Sequence, residues 1–201
     1  MDATAAKCLL TESAQTGTAN IAQDHRAADV IRRLGALFRR GEMQLHSLDL
    51  NALVTETLDL VQLDLLMHHV IVITDLAPEL SAIDGDRVQL KQVLFNLVVN
   101  AADAMADTAA HDRAMTIRTT TTNTGVQLQV SDRGPGIPPE FHATVFDPFW
   151  SSKATGIGMG LSVCRSIVSV PHGTLTVENA AGGGPRNRAS VPPVQVKGIY
   201  L

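Results

Sequence analysis

Apolar residues recur along this chain in two different periods, and their alternation lays out helices and strands in turn. Ala27, Val30, Ile31, Leu34, Leu37 and Phe38 fall at helical spacing before Gly41, which predicts an amphipathic helix over Asp24 to Arg40. Arg32, Arg33, Arg39 and Arg40 occupy the rest of its surface, and a lone helix cannot bury such a stripe by itself. Leu53, Val54, Thr57, Leu58, Val61 and Leu65 predict a second helix, with Asn51 placed to cap it. Val70 to Leu76 reads as a strand. The most regular pattern follows, from Asp86 to Ala106, with Leu90, Leu94, Leu97, Val98, Ala101 and Met105 on one helical face. Met115 to Thr122 and Val126 to Asp132 read as hairpin strands joined near Asn123-Thr124-Gly125. Gly158 to Val170 predicts a last helix and Thr174 to Val177 a strand. Strands in one layer and amphipathic helices in another make a two-layer α/β sandwich, preceded by the isolated helix.

Composition narrows the picture. With 201 residues, 45% of them apolar, the chain has material for one domain and an appendage, and global disorder is excluded. A net charge of −4 argues against a nucleic-acid partner. Cys8 and Cys164 form no disulfide or metal-ligand pattern, which suits a reducing compartment. The sequence holds no long apolar run and no leader pattern, so a soluble, cytoplasmic chain without a membrane segment is expected, either alone or as the inner part of something larger.

Candidate chemistry concentrates between Gln89 and Leu161. Gln89, Gln92, Asn96, Asn100 and Asp103 form a polar stripe beside the apolar one on the same helix. A solvated helix edge has the same pattern, but a carboxamide oxygen is also a hard, neutral ligand suited to Mg²⁺, and Asn100 is the candidate. Asp132 shares parity with Val126, Leu128 and Val130, so its carboxylate emerges on the face that the helices cover. Buried there it needs a hydrogen-bond donor, and an adenine amino group supplies one where guanine presents a carbonyl. Gly134 and Gly136 leave room for a base to approach the backbone. Phe146, Phe149 and Trp150 then occupy a loop with Lys153, a cation able to reach a phosphate. Gly156, Gly158 and Gly160 open the last helix, where exposed amides make a phosphate cradle. No strand leads directly into these glycines and no Gly-Lys-Ser/Thr closes them, so neither a Rossmann nor a Walker loop fits.

In order, these motifs resemble the ATP-binding catalytic domain of sensor histidine kinases. Asn96 to Ala104 is similar to the asparagine box, Asp132 to Gly136 to the first glycine box, Phe146 to Phe149 to the phenylalanine box and Gly156 to Leu161 to the second glycine box. The resemblance covers residues 45 to 184 and implies a Bergerat-type fold that binds ATP and Mg²⁺. It implies Asn96, Asn100 and Lys153 as catalytic residues, with Asn100 on the metal. The nucleotide set would be these three with Asp103, Asp132, Gly134, Gly136, Ile137, Phe146, Thr155, Gly156, Gly158, Met159, Gly160 and Leu161. Hydrolases of the wider superfamily carry a glutamate base one turn before the metal asparagine. Asn96 stands there, which favours transfer to histidine over hydrolysis.

Two departures shape the expected function. The first dimerisation helix with its His-acidic phosphoacceptor box is missing: His25 lies in Gln-Asp-His-Arg on what resembles the second such helix, and His46, His68 and His69 read as surface residues. Towards the far end, Gly182-Gly183-Gly184 is followed by Pro185 to Pro192 without the usual aromatic, so a weak last strand and a loose tail are expected. The resulting division is 1–44 as a remnant dimerisation region, 45–195 as the catalytic domain and 196–201 as tail. The expected activity is protein histidine kinase of a two-component system, acting in trans. Its partners would be a response regulator receiver domain and a histidine-bearing dimerisation domain, engaged as a homo- or heterodimer. A catalytically silent ATP- or partner-binding regulator, or a truncated gene product, is the alternative.

Overall fold

The computed structural model describes residues 45–123, 125–151, 157–169, 173–179 and 189–196, the last stretch by its backbone alone. The expected helix over 24–40, the loop residues Lys153, Thr155 and Gly156, and the end of the tail lie outside these residues. A short strand, β1 (His46–Leu48), pairs antiparallel with β3 (Ile83–Gly85). Each of these strands is followed at once by an aspartate that caps a helix. Asp49 accepts from the Asn51 and Ala52 amides at the start of α1 (Leu50–Met67), and Asp86 from those of Val88 and Gln89 at the start of α2 (Arg87–Ala104). The β1–β3 pair therefore fixes where both long helices begin. An ion-pair cluster holds them side by side farther on: Glu56 of α1 takes Lys91 and Arg87 of α2, and these contacts, Lys91 foremost, keep its carboxyl below the usual carboxylate range.

The expected cap Asn51 is thus corrected to Asp49. Asn51 lies inside the first turn, where its carboxamide donates to the Ala77 carbonyl at 2.8 Å and accepts from the Thr119 hydroxyl at 2.8 Å. Those partners, 26 and 68 residues away, claim the side chain before it can serve the helix end.

Behind the helices lies a sheet of order β2-β4-β5-β7-β6, built from β2 (Ile71–Leu76), β4 (Ala114–Thr122), β5 (Gly125–Asp132), β6 (Glu178–Asn179) and β7 (Ala189–Val196). β2 runs parallel to β4, and the remaining pairs are antiparallel. Met115, Ile117, Val126, Leu128, Val130 and Asp132 all point to the face covered by helices, as the alternation in sequence requires. Leu53, Val54, Leu90, Val93, Leu94, Leu97, Val98 and Ala101 meet them, and α3 (Gly160–Ser169) closes the layer with Cys164 and Val168. No helix among the described residues is long and apolar enough to cross a membrane.

Two strand expectations change. The strand read at Thr174 to Val177 is displaced to Glu178–Asn179, while Leu175 and Val177 are buried in the core ahead of it. The last strand, expected to be weak because the segment after Gly184 lacks the usual aromatic and opens on Pro185, forms between β5 and β6 over Ala189–Val196. Leu128 pairs with Val194 and Val130 with Val191, so Pro192 and Pro193 together face Gln129 in a bulge. A bulge leaves residues out of the ladder, which is where prolines without an N–H are tolerated.

Arg113, just before β4, ties three segments together. Its guanidinium donates to the carbonyls of Thr108, His68 and Ala106 at 2.9, 2.8 and 2.7 Å, and its own carbonyl accepts from the Ile71 amide. The ends of α1 and α2 and the start of β2 and β4 meet at this one side chain. Arg113→Met should cost about 2 kcal/mol, since carbonyls lose charge-assisted bonds, and Arg113→Lys should recover less than half because an ammonium cannot fork. Urea unfolding curves of the three proteins check this.

Candidate functional site

The site is laid out along α2 one turn at a time. Asn96, Asn100 and Ala104 lie four residues apart and face, in order, the body of α3, its N-terminus and the loop after β5. The polar stripe is deepest at its middle: Gln89 and Gln92 are half-buried, Asn96 is buried, Asn100 half-buried and Asp103 exposed.

At the inner end, the Asn96 carboxamide nitrogen donates to the Cys164 sulfur at 3.6 Å. Cys164 is wholly buried, and that burial pushes its thiol up to about 12, against a smaller opposing effect of the Asn96 bond. One turn on, the Asn100 carboxamide has no hydrogen-bond partner among the described residues. A Cβ on Gly160 would sit 3.4 Å from its nitrogen and 3.8 Å from its oxygen. A side chain at 160 would stand in contact with the Asn100 carboxamide, a contact that glycine leaves out. At the outer end, a Cβ on Gly134 would come within 2.8 Å of the Ala104 carbonyl oxygen and 2.7 Å of the Asp132 carboxylate. The loop therefore presses its bare backbone against the end of α2.

Asp132, at the last position of β5, is 3% exposed, and its Oδ1 accepts from the Gly134 amide at 2.8 Å. Its side chain lies on the inner face of the sheet, as the alternation along β5 predicts. Gly136 follows in the left-handed region at φ 80°, where a side chain is disfavoured. Ile137 packs half-buried on the core. Beyond it, Phe146 is buried beneath the Arg165 guanidinium of α3, 5.4 Å from the ring centre, and Trp150 rests on Phe141 with centroids 5.7 Å apart. Gly158 has φ 70°, and a Cβ there would run into the Phe149 and Trp150 backbone. The aromatic loop and the glycines before α3 thus fit together only without a side chain at 158. Met159 is buried, its carbonyl accepting from the Ser162 hydroxyl and the Val163 amide, and Leu161 is half-buried.

Sequence reasoning missed Cys164, Ala104, His142 and Asn179. Asn179 clasps the Ile137 backbone from 42 residues away, and no local spacing points to such a partner. His46, His68 and His69 are exposed, as expected.

The arrangement fits a magnesium nucleotide. Among the described residues, no group of three His, Cys, Asp or Glu side chains could hold a metal, so an ion here would take most ligands from phosphates and water. The Asn100 carboxamide, without a hydrogen-bond partner among the described residues, is the group suited to add one. A helix layer on one face of an open mixed sheet, with bare glycines at a helix N-terminus and beside a strand-end carboxylate, is the Bergerat form of α/β sandwich.

Comparison with known proteins agrees. Residues 85–195 match the family model of histidine kinase-, DNA gyrase B- and HSP90-like ATPases. The C4-dicarboxylate transport sensor protein DctS of Rhodobacter capsulatus is 37% identical over 174 residues, covering 87% of this chain and 26% of that protein. The sensor protein FixL of Bradyrhizobium diazoefficiens is 34% identical over 167 residues, covering 83% of this chain and 33% of that protein. The chain thus spans only a quarter to a third of the length of these relatives. Among solved structures, the nucleotide-free catalytic domain of histidine kinase ThkA superposes with a TM-score of 0.65 at 28% identity, covering 77% of this chain and 97% of that one. The chain belongs to the histidine kinase-, DNA gyrase B- and HSP90-like ATPase family, as an ATP-binding catalytic domain of the sensor histidine kinase kind.

Cys164 provides a test of the packing between α2 and α3. With its pKa near 12 against an ordinary 9.0, its thiolate fraction at pH 8 is lower about a thousandfold. Because the folded value is raised, this burial is neutral to stability below 9.0 and destabilises increasingly as pH rises towards 12. Iodoacetamide at pH 8 should leave Cys164 unmodified in the folded chain and modify it in urea, as read by the mass of its peptide.

Proposed function

We propose that this chain is the catalytic module of a protein histidine kinase, working in the cytoplasm on a histidine carried by a dimerisation domain, in trans. The observation that carries this reading is the alignment along α2. Asn100 stands against Gly160, and one turn on the Ala104 carbonyl stands against Gly134, whose amide is held by the Asp132 carboxylate of β5. Bound Mg-ATP supplies the transferable phosphoryl group, and the residues of the chain supply its place and its charge balance. Asp132, already holding the Gly134 amide, accepts from the adenine amino group and selects adenine over guanine. Asn100 would hold a magnesium ion through its carboxamide oxygen, with Asn96 and Asp103 on the same stripe. The amides at the start of α3 and the Lys153 cation offset phosphate charge. The resemblance adds Ile137, Phe146, Thr155, Gly156, Met159 and Leu161 to the proposed nucleotide set. Catalysis then rests on positioning rather than on covalent chemistry by the protein.

A response regulator receiver domain is the proposed acceptor of the phosphoryl group from histidine. A histidine kinase sharing this fold has been solved in complex with a response regulator protein, ThkA with TrrA. The kinase names of the relatives support the same reading.

Incubation with γ-labelled ATP and Mg²⁺, alone and with a histidine-bearing dimerisation domain, tests the reading. Acid-labile, alkali-stable label is expected on the added domain. Nucleotide binding without any label would instead identify a silent regulator. Asp132→Asn should weaken ATP at least about tenfold, the cost of an unpaired buried donor, and Asn100→Ala should remove the Mg²⁺ dependence of binding. Calorimetric titration with ATP and with GTP checks both, and equal affinity of the parent for the two nucleotides would refute the adenine anchor.

A further inference from the structure

We infer that Asn179 and His142 are positioning residues for the nucleotide, acting through the backbone of Ile137; the inference rests on the nucleotide reading above. The loop from Arg133 to Pro138 carries Gly134 and Gly136, and its backbone conformation decides whether a base can lie against Asp132. It has few side chains with which to hold itself. Gly134 is fixed at one end by the Asp132 carboxylate. At the other end, the Ile137 amide donates to Asn179 Oδ1 at 3.0 Å, and the Ile137 carbonyl accepts from Asn179 Nδ2 at 2.7 Å. The same carbonyl lies 2.9 Å from His142 Nε2, and because a carbonyl only accepts, that nitrogen carries the proton. One residue of the loop is thus held by three hydrogen bonds from two side chains.

The chemistry of the clamp is specific. A carboxamide offers a donor and an acceptor side by side and satisfies both backbone groups of Ile137 at once, as a partner strand would. Aspartate would turn a second acceptor towards the carbonyl, and serine has too short a reach. Asn179 is itself fixed by pairing with Ala189 in β7, so the clamp links the far edge of the sheet to the loop. Neither side chain lies among the boxes that mark the site in sequence. Their role is to hold the loop in its binding shape before a ligand arrives, so that its ordering need not be supplied on binding.

The test compares the parent with Asn179→Ala, Asn179→Asp, His142→Phe and His142→Gln. Two readouts are taken: hydrogen exchange of the Ile137 amide in the nucleotide-free chain, and affinity for a fluorescent ATP analogue. Asn179→Ala should exchange faster, since the Ile137 amide loses its acceptor, and both Asn179 variants should bind about tenfold more weakly, the effect of one or two lost hydrogen bonds. His142→Phe should weaken binding severalfold, and His142→Gln, which keeps a donor, should recover most of the loss. Faster exchange with unchanged affinity would reduce the clamp to a structural tie and overturn the inference, as would unchanged exchange in Asn179→Ala. Failure of the parent itself to bind the analogue would overturn the nucleotide reading and this inference with it.

Discussion

Everything at the site depends on the seating of α2 in the helix layer. Its apolar face, Leu90 to Ala101, is almost entirely buried, and each such side chain contributes about 1.5–3 kcal/mol when fully removed from water. That burial fixes the rotation of the helix about its axis. The rotation in turn sets Asn96 against Cys164, Asn100 before Gly160 and the Ala104 carbonyl under Gly134. A one-residue slip would turn the stripe by about 100° and separate all three at once. The aspartate cap, the ion pairs from Glu56 and the Arg113 fork pin the two ends of the helix and its neighbour, so that position along the axis is fixed as firmly as rotation.

Glycine is the second constraint, and it operates at contact rather than through flexibility. At Gly134 the neighbouring atoms are a backbone carbonyl and the Asp132 carboxylate, neither of which can move aside without breaking what it holds. At Gly158 both the positive φ and the aromatic-loop backbone forbid a side chain. The glycine boxes are therefore records of close approach between elements distant in sequence, which explains why their order carries more meaning than any one of them.

What could be read from sequence was whatever one element decides for itself. The period of α2 gave both its faces, and the parity of β5 gave the inward direction of Asp132, because each depends only on neighbours within the element. Features settled by distant partners were not legible. Asn51 looks like a cap until Ala77 and Thr119 are found to hold its carboxamide. The last strand reads as weak until its register shows Pro192 and Pro193 together opposite Gln129 in a bulge. Asn179 has no local signature, because its partner lies on a loop formed much earlier in the chain.

The pairing of Asn96 with Cys164 also bears on the chemistry. One turn before the proposed metal asparagine is where the resemblance to hydrolases of the wider superfamily would put a base for the proton of an attacking water. Here a carboxamide, which does not accept protons, occupies it, and its nitrogen is turned to a thiol. That thiol is itself driven to a pKa of about 12 by burial, so no thiolate stands in for the missing carboxylate. Exchange of Asn96 for glutamate would place an ionisable group in a space that desolvates it and opposite a sulfur that cannot neutralise it. An acceptor that brings its own nucleophilic nitrogen needs no base there, and histidine is such an acceptor.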